Sequence, residues 1–305
     1  MCPRGGEETD VRNDVESVIF SIIVRINSVY PELPIHSVKH LGSGQNNDVY
    51  LVNESLVFRF PRNQIAATRL RTEVTILAHL QGGVPLHVPN PVYVHLAPGA
   101  ECMDSFMGYE KIPGNVITSG KGSLSPAQLD VVAGRLGDFL QSLHSLVISY
   151  DLATVLPMAQ GLAYWEDMLE HIEYLLFPHM REDARRQVSN HFHMFFESTR
   201  DDQADVCLIH GDFGRGNILF NTDFTQVEGI LDFGSACLGD PATDYAAVST
   251  IHPRILERME RHNPVLAEYN DRIEFYRGTF ALQEALYGAE VGDEEAFRSG
   301  LTPYV

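Results

Sequence analysis

Cys207-Leu208-Ile209-His210-Gly211-Asp212-Phe213-Gly214-Arg215-Gly216-Asn217-Ile218-Leu219-Phe220 carries an apolar run into a polar loop and a second apolar run out of it. Asp212 and Asn217 stand five residues apart, among three glycines that let the backbone turn sharply. Fifteen residues beyond Asn217, the stretch Gly229-Ile230-Leu231-Asp232-Phe233-Gly234 again ends an apolar strand in a carboxylate and a glycine. Gly239-Asp240-Pro241-Ala242-Thr243-Asp244 follows.

These residue types are the ones phosphoryl transfer needs. One carboxylate must orient an attacking hydroxyl and accept its proton, and Asp212 fits that role. A carboxylate and an amide oxygen must hold Mg²⁺ against a triphosphate, because hard cations take oxygen ligands; Asn217 and Asp232 fit that one. His210 reads as a scaffold residue behind the loop. Asp240 is expected to hold the loop by hydrogen bonds, and Asp244 to cap a helix.

Working outward, 305 residues suffice for two ordinary domains or one large one. Hydrophobic residues make up 44% and charged residues 21%, a composition that buries a core. Lys and Arg total 22 against 41 Asp and Glu, a net charge of −19 that disfavours nucleic acid and anionic lipid and suits cationic ligands. No apolar run reaches the roughly 18–20 residues of a membrane span, and Val15 to Val24 is broken by Glu16, Ser17 and Ser21, unlike a signal peptide. Cys2, Cys102, Cys207 and Cys237 lie far apart without Cys-x-x-Cys spacing, which fits reduced thiols in a cytoplasmic protein and argues against zinc or a disulfide framework.

Val15 to Val29 has helical periodicity. Gly42 to Asp48 reads as a polar glycine loop, Val49–Val52 and Leu56–Phe60 as an antiparallel hairpin turning at Asn53-Glu54-Ser55. A helix from about Ala66 to Leu80 carries Glu73, and Phe106 to Ile112 is a further strand. Beyond Gly114 the pattern is mostly helical: Ser125 caps a helix with Pro126 in its first turn, and Trp165–Phe177, Glu182–Ser198 and the tail after Pro253 are helical. The chain is expected to divide at 109–114, between a sheet-rich small lobe at 1–108 and a larger, mainly helical lobe at 115–305.

His210-x-Asp212-x4-Asn217 followed by Asp232-Phe233-Gly234 resembles the catalytic and metal motifs of the protein-kinase-like fold in its antibiotic-kinase form. Leu136-Gly137-x-Phe139-Leu140-x-x-Leu143-His144 and Gly239-Asp240-Pro241-x-x-Asp244 resemble aminoglycoside phosphotransferases. The resemblance implies an α+β bilobal fold with a small antiparallel-sheet N-lobe and a larger, mainly helical C-lobe. The loop has His-Gly-Asp rather than the His-Arg-Asp of protein kinases, and no segment ending in Ala-Pro-Glu follows, so the implied acceptor is a small molecule.

The resemblance also assigns the remaining site residues. Ser43 would lie over the phosphates, and Arg59 would replace the usual strand lysine, with Glu73 as its partner; Arg62, past the strand break, is the less suitable cation. Tyr109 would guard the purine pocket, and Lys111 and Ile112 would lie in the hinge that addresses the base of GTP or ATP. Gln283 to Glu290 resembles the closing helices of aminoglycoside 2″-phosphotransferases, which points to Glu284 and Glu290 as ammonium ligands, with Asp293, Glu294 and Glu295 beside them. Trp165, Glu166 and Asp167 would line the same cleft in the helical insertion. Ser235 stands where several relatives have Asp. The implied enzyme is a monomer with an aminoglycoside acceptor; macrolides, homoserine, choline and fructosamines are the alternative acceptors on this fold.

Overall fold

The computed structural model describes residues 7–44, 46–117, 124–159, 161–199 and 206–305, with only the backbone for 7–16 and 100–102. Cys2 and the Cys102 side chain lie outside the described residues. The chain forms two units: residues up to Gln81 with His87–Pro113, and Gly82–Leu86 with Gly114–Val305.

The first unit runs α1 (Glu7–Val29), β1 (Val38–Ser43), β2 (Asn47–Val52), β3 (Leu56–Pro61), α2 (Gln64–Leu80), β4 (Tyr93–His95) and β5 (Phe106–Glu110). Its strands form one antiparallel sheet in the order β1-β2-β3-β5-β4. Asn53 and Glu54 both take positive φ (52° and 60°), the two-residue turn whose twist suits a hairpin. Residues paired across strands share a sheet face. Tyr50, Phe58, Phe60 and Phe106 therefore form one aromatic face, and Ile22 and Ile26 of α1 pack onto it. Phe58 is fully buried, with ring centroids 5.9 Å from Phe106 and 5.6 Å from Tyr93. The opposite face carries Val49, Val57, Arg59 and Tyr109, and α2 packs against β3 and β5.

Several boundaries differ from the expected ones, among them the following two. Strands β1 and β2 extend into the glycine loop, pairing Ser43 with Asp48 and closing a tight turn through Gly44 N–H to Asn47 O at 2.9 Å. Helix α2 begins earlier, because the Asn63 side chain caps it by accepting from Ala66 N at 2.8 Å.

The second unit contains β6 (Asn115–Val116), α3 (Pro126–His144), α4 (Tyr150–Val155), α5 (Leu162–Leu175), α6 (Glu182–Thr199), β7 (Cys207–Ile209), β8 (Ile218–Phe220), β9 (Val227–Ile230), β10 (Cys237–Gly239), α7 (Ala242–Val248), α8 (Ile255–His262), α9 (Asn270–Val291) and α10 (Glu294–Leu301). Ser125 and Gln128 form a reciprocal capping box ahead of α3, which buries Leu129, Val132, Leu136, Leu140 and Leu143 on one stripe. Two small antiparallel sheets, β6-β8-β9 and β7-β10, present the polar loops. Helices α9 and α10 meet backbone to backbone: a Cβ on Gly300 would collide with the Ala281 carbonyl and the Ala285 amide. Cys207 and Cys237 are half-buried thiols outside any disulfide, and burial pushes the Cys237 thiol up to about 11. Among the described residues no helix is long and apolar enough to cross a membrane.

Replacing Phe58 with alanine removes the ring at the centre of the aromatic face. The expected outcome in urea denaturation is a loss of about 3–5 kcal/mol, with no change in the apolar packing of the second unit.

Candidate active site

Three short contacts draw the loop residues together. Ile218 of β8 sits opposite Ile230 of β9, and Leu231 N–H donates to Asn217 O at 2.8 Å, so Asn217 and Asp232 lie at adjoining ends of one hairpin. Asn217 Nδ2 then donates to both the carbonyl of Asp212, at 2.8 Å, and its Oδ2, at 2.9 Å. The Asp212 side chain reaches solvent, yet partial burial pushes its carboxyl up, opposed by the Asn217 hydrogen bond and reinforced by the charges of Asp232 and Asp244. Asp212, Asn217 and Asp232 thus share one neighbourhood.

His210 is fully buried and uses both ring nitrogens. Its Nδ1 accepts from Asp212 N–H at 3.2 Å, which puts the ring proton on Nε2, donated to Leu231 O at 2.9 Å. The ring packs on Phe233 at 4.6 Å and edge-on to Phe213 at 5.5 Å. This is the scaffold role.

The two later aspartates exchange their expected parts. Asp244, with no solvent exposure, accepts from His210 N at 2.8 Å, Gly211 N at 2.9 Å and His144 Nε2 at 3.0 Å; it is the residue that holds the loop. Asp240 instead accepts from Ala242 N at 2.9 Å at the start of α7, from Tyr276 Oη at 3.1 Å, and pairs with Arg272 Nε at 2.8 Å. The physical reason is reach. Asp244 lies in the first turn of α7, where its side chain points back at the loop backbone, whereas Asp240 precedes the helix and meets its first amide. Gly211 is required where the loop turns: its φ is +76°, and a Cβ there would collide with the Ser235 carbonyl. His144 is the partner that sequence reasoning left without a role. Its signal was a polar residue one turn beyond Leu140 on the buried stripe of α3.

Asp232 takes a left-handed conformation, φ 60° and ψ 74°, with its side chain accepting from Gly234 N at 3.4 Å. Non-glycine residues in that region concentrate at functional sites. Asn217 spends its Nδ2 on Asp212, which keeps its Oδ1 for acceptor duty at the hairpin end that adjoins Asp232. Two hard oxygens next to an anion-bearing substrate suit Mg²⁺, which takes one or two protein ligands and completes its shell from phosphates and water.

In the first unit, Arg59 Nη1 and Glu73 Oε1 are 2.6 Å apart and both side chains are buried. Arg62 is spent on the β1–β2 turn, donating to Gly44 O at 2.8 Å and lying 3.6 Å from Asp48. Ser43, at the exposed end of β1, has its hydroxyl 3.1 Å from His40 Nε2. Tyr109 is buried opposite Val57, on the same sheet face as Arg59. Lys111 is exposed and already gives its N–H to Ser55 O at 2.8 Å, which leaves its carbonyl; Ile112 is half-buried.

The acceptor candidates fall on α5 and α9, which pack together. Trp165 sits in a ring cluster with Phe275 at 5.2 Å and Tyr276 at 5.6 Å. Glu166, Asp167, Glu284 and Glu290 are exposed. Glu290 reaches toward α5: burial pushes the Tyr164 hydroxyl up and the Glu290 charge adds to it. Asp293 caps α10 by accepting from Glu295 N and Ala296 N, and Glu294 pairs with Arg298, so this part of the acidic run serves its own helix.

Burial opposes ionisation of Asp244, but the His144 hydrogen bond and the His210 amide outweigh it and hold the carboxyl below its ordinary 3.8. The native state therefore releases this proton more readily than the unfolded chain. Its contribution is full above the ordinary value and is lost as pH falls through the depressed one. Asp244→Ala is expected to cost about 3–5 kcal/mol by denaturant titration at neutral pH, and to flatten the acid limb of the stability profile.

Residues 37–281 match the family model described as "Phosphotransferase enzyme family". A viomycin phosphotransferase from Streptomyces vinaceus is 28% identical over 274 residues, covering 86% of this chain and 90% of that protein. The solved GDP complex of wild-type aminoglycoside 2'-phosphotransferase-IIIa superposes with a TM-score of 0.82 at 25% identity, covering 93% of this chain and 96% of the other. A GDP and kanamycin complex of an aminoglycoside 2″-phosphotransferase gives a TM-score of 0.83 at 24% identity, covering 93% and 96%. The two polar loops at Asp212 and Asp232, with the antiparallel sheet that carries the Arg59–Glu73 pair, therefore sit on a kinase-like scaffold, and the chain belongs to the phosphotransferase enzyme family.

Proposed function

We propose that the protein transfers the γ-phosphate of a purine nucleoside triphosphate, GTP or ATP, to the 2″-hydroxyl of an aminoglycoside antibiotic. The observation that carries this reading is the Asn217 amide bonded to the Asp212 carboxylate beside Asp232. It supports the reading because a proton acceptor next to a pair of oxygen ligands is the combination that phosphoryl transfer to an alcohol demands. Asp212 orients the acceptor hydroxyl for in-line attack and takes its proton as the bond to phosphorus forms. Asn217 and Asp232 hold Mg²⁺, which supplies neutralisation of the triphosphate charge when bound. Arg59, kept in one rotamer by Glu73, presents a permanently charged fork to phosphate oxygens. Ser43 adds a hydroxyl and an amide at the phosphate end, and residues 109–114 act as the hinge, with Tyr109, Lys111 and Ile112 bounding the purine.

The acceptor class rests on charge. An aminoglycoside carries several ammonium groups, and Glu166, Asp167, Glu284 and Glu290 are exposed carboxylates in a chain of net charge −19. Trp165 shapes the wall beneath them. A second reading, viomycin as the acceptor, is favoured by the 86% of this chain that matches the viomycin phosphotransferase.

Nucleotide consumption measured with GTP and with ATP, against kanamycin, viomycin, erythromycin and choline, separates these readings. Turnover is expected with kanamycin and at background level with erythromycin and choline; turnover with viomycin alone replaces the first acceptor with the second. No acceptor-dependent turnover overturns both. Asp212→Asn should lower kcat by about 10²–10⁴-fold with nucleotide affinity little changed, checked by steady-state rates and nucleotide titration.

A further inference from the structure

On the far side of Asp244 from the loop, the second unit contains a cavity of about 310 Å³ that the proposed reaction leaves unused. It lies among the C-terminal end of α3, the first residue of β7, α7 and the segment after α8. Its volume is at the lower end of the range of about 300–1,000 Å³ typical of small-molecule sites.

Its chemistry is unlike that of the surface around it. Among the described residues no Asp, Glu, Lys or Arg lines it, in a chain with 41 acidic and 22 basic residues. Its walls are aromatic: Tyr245 is stacked with Tyr269, centroids 6.2 Å apart and planes at 24°, while His144 meets Tyr245 edge-on at 5.3 Å. Gln141 and Asn263 supply amides at the rim.

Tyr245 itself points to an occupant. It is only 3% exposed, yet its hydroxyl has no hydrogen-bond partner among the described residues, and the residue lines the cavity. The ring is buried but the hydroxyl oxygen stays accessible from the cavity, so its hydrogen bond goes to whatever fills that space. Burial pushes the ionisation of this phenol well up, so it stays a neutral donor.

We propose that this cavity binds a small uncharged planar molecule of one or two rings, whose hydrogen-bond acceptor takes the Tyr245 hydroxyl and whose ring packs among Tyr245, Tyr269 and His144. The site reports to the catalytic loop. His144 Nε2 is 3.0 Å from Asp244 Oδ2, and the same carboxylate receives the His210 and Gly211 amides. A molecule that shifts the imidazole therefore shifts the group that positions Asp212.

Benzamide, benzoate and benzamidinium share one shape and differ in charge, and isoquinolin-1-one adds a second ring to the neutral amide. Each is titrated into the isotope-labelled full chain and followed by NMR, without nucleotide or acceptor. Benzamide is expected to move the Ser145 and Asn263 signals and the Gly211 amide along one saturable curve, with isoquinolin-1-one binding about tenfold tighter and benzoate and benzamidinium about tenfold weaker than benzamide. Tyr245→Phe keeps the ring and the fold but should weaken benzamide about tenfold, and Val265→Trp, at the exposed lip, should abolish the shifts. The proposal is overturned by the absence of saturable shifts, by equal binding of the charged compounds, or by Tyr245→Phe binding benzamide unchanged. None of these readouts depends on turnover, so they decide the cavity separately from the phosphotransferase reaction.

Discussion

A carboxylate with no access to water is costly unless its lone pairs are filled, and that requirement organises the second unit around Asp244. Two loop amides and one imidazole fill them. Satisfying the charge fixes the backbone at His210 and Gly211, and the fixed backbone sets the His210 ring. The ring in turn bridges Asp212 N–H to Leu231 O, joining the loop to the hairpin that carries Asn217 and Asp232. Each link is a hydrogen bond near 3 Å, so the fold itself holds the backbone that carries the proposed proton acceptor and metal ligands.

Positive charge is handled with the same economy. Arg59 is buried against Glu73 in the first unit, and Arg272 is held between Asp240 and the face of Tyr269 in the second. A guanidinium stays charged at any working pH and offers several donors in a plane, so one carboxylate does not exhaust it. A lysine at position 59 would bring a single ammonium to the same carboxylate. The arginine lies on the face of the sheet that also carries Tyr109.

How much of this could be read from the residues depended on how narrowly the chemistry constrains them. That Asp212, Asn217 and Asp232 would come together was legible, because the spacing of the two loops is set by the strands on either side and the proposed chemistry admits few residue types. The hairpin β2–β3 and the capped start of α3 were legible from alternation and from Ser125-Pro126. Asp240 and Asp244 were not separable, since either can cap a helix or hold a loop and only the direction of the side chain decides. β6, with two residues, carries no periodicity, and the strands entering the glycine loop look polar because that hairpin is partly exposed. The acidic run near the C-terminus gave composition without direction: Asp293 faces its own helix and Glu284 faces solvent.

The contact at Gly300 separates what is constrained in the tail from what is not. Where α10 presses its backbone onto α9 there is no room for even a methyl group, so that side of α9 cannot drift. Glu284, Tyr287 and Val291 lie on the outer side of the same helix, free of that constraint. If the acceptor meets α9 on this outer side, as proposed, selection can rewrite the outward residues one at a time while the inward ones keep the helix in register, and a change in acceptor range need not pass through an unstable ancestor.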